Sequence, residues 1–144
     1  MGDHWLEAID PDLPEWMLAR EREAADAYRT GDLEWLLEHT HPEIEIVQPP
    51  EFPDGRSYRG LDGLIDAILD WPREWEDFQV EPERIFALSD SQLVVASVHR
   101  GRSREMEIDI EAEMVWLLTF EDRLMRRWDM FMSLDAALDA ATSS

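Results

Sequence analysis

From Phe78 to Met132 the chain alternates with a period of two, broken by the short polar runs "SDS", "GRSR" and "EDR". Extended backbone sends successive side chains to opposite faces, so this spacing predicts strands at 78–87, 92–102, 106–120 and 123–132, joined as antiparallel hairpins. Upstream the pattern is helical. After a lead-in punctuated by Pro11 and Pro14, residues 15–30 carry Trp16, Ala19, Ala24, Ala27 and Tyr28 along one broad side. Gly31 is suited to close that helix, and Asp32 to cap a second at 33–39 with Leu33, Leu36 and Leu37 on one face. "EIEIVQP" reads as a short strand closed by Pro49 and Pro50, and "PPEFPDGRSYRG" as a loop whose first part suits a lid or a rigid turn equally. A third helix, 61–71, bears Leu61, Leu64, Ile65, Ile68 and Leu69 and is expected to stop at Trp71-Pro72; a last helix begins at Ser133. Helices followed by hairpins define an α+β class: a bent, mostly antiparallel sheet wrapped around N-terminal helices.

The 144 residues suit a single domain, 1–144, without internal repeat. Apolar content of 44%, with seven Trp, is enough to build a core despite a charged fraction of 33%. The formal charge of −21 repels phosphate backbones and anionic headgroups, so neither nucleic acid nor a membrane surface is an expected partner. The chain has no Cys, and its basic residues are all Arg. Thiol nucleophiles, disulfides, Schiff bases and the lysine of a phosphate-binding loop are thereby excluded. No segment approaches the ~20 apolar residues of a membrane span, and "MGDHWLEAIDPDLPEW" lacks the form of a leader, so a cytoplasmic location is expected.

The stretch "EMEIDIEAEM" places Glu105, Glu107, Asp109, Glu111 and Glu113 at two-residue spacing. Same-face neighbours on one strand lie ~6.6 Å apart and point in parallel, whereas a cation needs oxygens converging to ~2.1–2.5 Å. The ladder therefore reads as a solvated face and not a metal site. His39, His41 and Glu43 in "EHTHPE" read as helix-end residues, and no metal or other cofactor is expected.

Hairpins with even loops set odd positions of one strand opposite even positions of the next, and opposite residues share a face. With an even loop at 103–106, Arg100 and Arg102 join the ladder, while Ser97 and His99 join Ile110, Ala112, Met114 and Trp116. With "ED" at 121–122 as a two-residue turn, Met125, Arg127, Asp129 and Phe131 join that second face as well. The second face is then mostly apolar with a few polar groups, the make-up of a small-molecule pocket. On the ladder's face, Val94, Ala96, Val98, Val115 and Leu117 form an apolar patch suited to a sheet-to-sheet homodimer.

Taken together, "AYRTGDLEWLLEHTHPEIEI", "YRGLDGLIDAIL", "VVASVHRGRSR", "VWLLTFEDRLMRRWDMF" and "SLDAALDAA" resemble the SnoaL-like branch of the nuclear transport factor 2-like superfamily, over about 15–141. The resemblance implies a cone with an internal pocket, commonly dimeric, on a fold that hosts isomerases, cyclases, dehydratases, hydrolases and non-catalytic modules. It implies a ligand that is small and largely apolar and, in an enzyme, acid–base chemistry without a cofactor. "WDMF" is similar to the Asp-Tyr-Phe of limonene epoxide hydrolase-like members, which makes Asp129 the candidate base, with His99 or Arg127 polarising the substrate. An ion pair between Asp129 and Arg127 is the structural alternative. The epoxide hydrolase-like Arg-x-Asp is replaced by "SVHR", and the ketosteroid isomerases' Tyr, base Asp and oxyanion Asp by Ala24, Gln48 and Trp116. His99 with Asp129 resembles the His–Asp pair of scytalone dehydratase-like members. Trp116, Met114, Ser97, Phe131, Gln48 and Tyr58 are the candidate substrate-binding residues, and a non-catalytic binding or dimerisation module is the competing class.

Overall fold

The computed structural model describes residues 2–49, 57–73 and 75–143. The chain runs α1 (Gly2–Ala8), α2 (Glu15–Thr30), α3 (Leu33–Glu38), β1 (Thr40–Val47), β2 (Ser57–Arg59), α4 (Gly60–Arg73), β3 (Trp75–Ser89), β4 (Gln92–Ser103), β5 (Asp109–Glu121), β6 (Leu124–Phe131) and α5 (Leu134–Ser143). One six-stranded sheet has the order β2-β1-β6-β5-β4-β3, antiparallel except where β1 runs parallel to β6. This is the α+β arrangement that the periodicity implies.

Local chemistry sets the N-terminal turns. Gly31 closes α2 at φ 68°, a left-handed conformation that costs glycine nothing sterically. Asp32 then caps α3 by accepting from the Trp35 N–H at 3.0 Å. Two elements were not expected. The lead-in is helical over Gly2–Ala8, and β2 arises inside the expected loop and pairs with β1. A helix of seven residues has little stability of its own; burial of Trp5 against α2 holds it in place. Most of the lid-or-turn reading at 49–55 falls on residues outside those described.

The main core lies between the helices and the inner face of the sheet, with Met17, Ile44, Ile46, Leu64, Ile85, Leu93 and Val95 essentially inaccessible to solvent. A second cluster forms on the outer face, where α5 lays Leu134, Ala137 and Ala141 over Val94, Val115, Leu117, Phe86, Ala96 and Phe131. The chain's own C-terminal helix thus covers Val94, Val115 and Leu117, three residues of the patch read as a homodimer surface, with Ala96 packed beside them, while the part-buried Val98 lies outside this cluster.

The β4–β5 register follows the even-loop expectation. Ser97 lies opposite Met114, His99 opposite Ala112, Arg100 opposite Glu111 and Arg102 opposite Asp109. All five ladder carboxylates are exposed; Arg100 Nε donates to Glu111 at 3.0 Å, and Arg102 reaches Asp109 at 3.4 Å. Glu105 and Glu107 precede the strand, which starts at Asp109.

Candidate functional site

Helix α2 turns Met17, Glu21, Ala24 and Ala25 inward, positions one and two helical turns apart on a single stripe. Glu21 is the anomaly on that stripe, a carboxyl group only 4% exposed. It lines a cavity of about 390 Å³, open on one side, formed by α1, α2, α3, α4 and the inner face of β4–β6. Walls of Trp5, Leu36, Ile68, Val95, Trp116, Leu118, Phe120, Met125 and Trp128 make the cavity strongly apolar, and the half-exposed Leu33 and Leu69 also line it.

The polar groups at the cavity fall into two kinds. Some are satisfied within the chain: Thr40 Oγ1 donates to the Leu36 carbonyl at 2.7 Å, and His39 Nδ1 lies 2.7 Å from the Trp35 carbonyl, its ring stacked on Trp35. Glu21 and Arg20 are less fully used. Glu21 Oε2 accepts from Trp5 Nε1 at 3.1 Å, and no cation of the described residues pairs with the carboxyl. Desolvation pushes its pKa up to about 7, against a smaller lowering by the Trp5 hydrogen bond and the charge of Arg20. A group with that pKa is available as acid and as base near neutrality. Arg20, half-buried, donates from Nη1 to the Arg123 carbonyl at 2.6 Å, and burial lowers its own pKa.

Behind the wall runs a line of aromatic contacts. Phe78 meets His99 at 5.3 Å between ring centroids, His99 meets Trp116 at 5.7 Å, and Trp116 meets Trp128 at 4.9 Å, all steeply inclined. His99 is 7% exposed, and burial pushes its pKa down to about 4, so the ring is neutral near pH 7. The buried Nε1 atoms of Trp116 and Trp128 have no acceptor among the described residues.

The expected site is therefore redistributed. Trp116 lines the cavity. His99, Met114 and Ser97 share its face but are packed into the sheet, with Ser97 Oγ donating to the Met114 carbonyl at 3.2 Å. Tyr58 on β2 packs beside the main core, and Gln48 follows β1; neither lines the cavity. Asp129, Arg127 and Phe131 lie on the opposite face, which corrects their expected placement. The turn is Asp122-Arg123, both at positive φ, so Glu121 faces Leu124 and Phe120 faces Met125 as an even loop requires. A bulge then shifts the register, so that Thr119 faces Arg127 and Leu117 faces Asp129. One extra residue on β6 reverses every later side chain. Trp128 thereby takes the place at the cavity expected of Arg127 or Asp129. Asp129 accepts from Arg127 Nε at 2.9 Å, and Arg127 Nη1 reaches Glu45 at 3.2 Å, an ion cluster on the outer face.

Glu21 was missed because helix α2 is rich in charge. The available signal was positional: a carboxylate one turn from Met17 and one turn from Ala24 and Ala25 sits where an apolar residue belongs.

A bent sheet closed by helices around an apolar cavity is the architecture of nuclear transport factor 2-like proteins. The chain belongs to the SnoaL-like domain family, whose model matches residues 22–128. Among solved structures it is similar to a nuclear transport factor 2-like protein from Burkholderia xenovorans, at 23% identity and TM-score 0.62, covering 80% of this chain and 87% of that one. It is also similar to a putative SnoaL-like polyketide cyclase from a Jannaschia species, at 15% identity and TM-score 0.58, covering 82% and 90%. TerC, co-crystallised with polyporic acid, is 18% identical at TM-score 0.60, covering 83% and 92%. No functionally curated protein matches the chain. Among the described residues no helix is long and apolar enough to cross a membrane, and no cluster of three potential ligands could hold a metal ion.

Proposed function

We propose that this protein binds a small, largely apolar molecule in its cavity and performs acid–base chemistry on it without a cofactor, with Glu21 as the proton-transfer residue. The observation that carries this reading is a single buried carboxyl group, without a cationic partner among the described residues, in an otherwise apolar cavity. Burying such a group is costly, and a fold that needed only a core would gain from Leu or Met at this position. Near neutral pH Glu21 can take a proton from one atom of the substrate and return it at another, ending as it began. Isomerisation, cyclisation and dehydration all have this form. Trp116 and Trp128 would hold the substrate's apolar body. The similar structures named a putative SnoaL-like polyketide cyclase and TerC co-crystallised with polyporic acid support a cavity used for ligands.

The test is a screen of cyclic ketones and polycyclic aromatics by quenching of tryptophan fluorescence, since Trp5, Trp35, Trp116 and Trp128 line the cavity. Turnover of the binders is then followed in wild type and Glu21→Gln. Binding retained with turnover lost is the expected result. Turnover that survives Glu21→Gln rejects Glu21 as the acid–base group, and binding without any turnover favours a non-catalytic module.

A further inference from the structure

We infer that the cavity's ligand carries an anionic oxygen group, received by the Arg20 guanidinium, with its apolar body among Trp116, Phe120 and Trp128. The inference rests on the cavity reading above and adds a substrate class to it. In a chain with 34 acidic and 13 basic residues, an arginine is expected to find a carboxylate. Arg84, Arg100, Arg102, Arg104, Arg126 and Arg127 each do so. Among the described residues Arg20 does not, and unlike Arg22, Arg59 and Arg123, which also lack such a partner, it lines the cavity; its polar contact is the backbone carbonyl of Arg123, and Glu23 and Glu21 act on it only through the field.

The placement of Arg20 is specific. It follows the cavity wall from α2 and precedes Glu21 directly, so the two side chains leave the helix about 100° apart. Its guanidinium sits 5.5 Å from the Trp16 ring centroid, and that of Arg123 sits 5.6 Å from the same ring. Two like charges on one aromatic ring repel each other: burial is the main cause of the lowered Arg20 pKa, Glu23 and Glu21 oppose it, and Arg123 adds a smaller lowering. An anion between ring and cavity would relieve that repulsion and use the free donors of the guanidinium fork. Trp16 in turn packs edge-on against Phe120 of the cavity wall at 5.2 Å, so the charged and apolar subsites are contiguous.

The test compares two probes of one shape, 2-naphthoic acid and its neutral amide, by titration calorimetry at about pH 6, where the acid is ionised. Wild type should bind the acid about tenfold tighter than the amide, despite a net charge that repels anions. Arg20→Gln should collapse that preference to about one. Arg20→Lys keeps the charge and the packing stem, and should lower it about threefold; it decides the matter if Arg20→Gln does not fold. Equal binding of acid and amide by wild type, or a preference that both variants leave intact, overturns the inference while the cavity reading stands. Failure of both probes to bind rejects the cavity reading and this inference with it.

Discussion

Trp5 Nε1 donates to Glu21 Oε2 over 3.1 Å, tying α1 to the one buried carboxyl of α2. The bond favours the charged form of Glu21, whereas burial opposes it more strongly. Trp5→Phe should therefore raise the Glu21 pKa above about 7, as read by carboxyl chemical shifts against pH. A pKa that stays or falls would show that the indole does not interact with the carboxylate.

Glu21 should also make stability fall as pH rises. The unfolded carboxyl ionises near 4.5 and the folded one near 7, so the folded state holds a proton that the unfolded state releases. Its contribution is fully favourable below the unfolded value and is lost as pH climbs to about 7. At about 1.4 kcal/mol per unit, Glu21→Gln should stabilise by roughly 3 kcal/mol at about pH 8 and by little at about pH 4. Denaturant melts at the two pH values check this, and equal effects at both would refute it.

His99 should do the opposite across nearly the same window. Its pKa is lowered from 6.5 to about 4 by burial, so the unfolded chain binds a proton that the folded chain refuses. That contribution is present above the unfolded value and is lost as pH falls to about 4. The two slopes largely cancel in wild type. His99→Gln should expose the Glu21 slope, giving stability that decreases from about pH 4 to about pH 7 more steeply than in wild type.

Asp129 lies across the sheet from the cavity, in an ion cluster whose Arg127 side chain is 46% exposed. Solvent screening and the second partner Glu45 soften its loss. Asp129→Asn should destabilise by about 1 kcal/mol or less and leave probe binding in the cavity unchanged. A large drop in probe affinity would contradict the observed register.

Leu117→Glu should act on folding and not on association. The side chain is 4% exposed beneath α5, so a carboxylate there is buried without a partner and should cost more than 3 kcal/mol. Removing residues 134–144 should instead expose Val94, Val115 and Leu117 and promote self-association by light scattering. A folded, stable Leu117→Glu protein with altered oligomeric state would show that the patch faces another molecule.

The sequence by itself determined most of the elements, α1 and β2 excepted, and most of the sheet. Period-two alternation, the Gly31 turn and the Asp32 cap are local signals, and each led to the observed strand, helix end or cap. The β4–β5 register was legible too, because an even loop without a bulge transmits parity along the whole ladder from Arg102 to Gln92. Tertiary structure alone decided the site. The bulge in β6 falls in a strand without Gly or Pro to announce it, and it exchanged Asp129 for Trp128 at the cavity. Burial of the outer patch depended on where α5 docks, and the helical state of Gly2–Ala8 on Trp5 reaching Glu21. The chemistry followed the same rule: the place of Glu21 on the apolar stripe of α2 is a positional signal in the sequence, but only its burial in the folded chain strips the hydration that would keep it ionised.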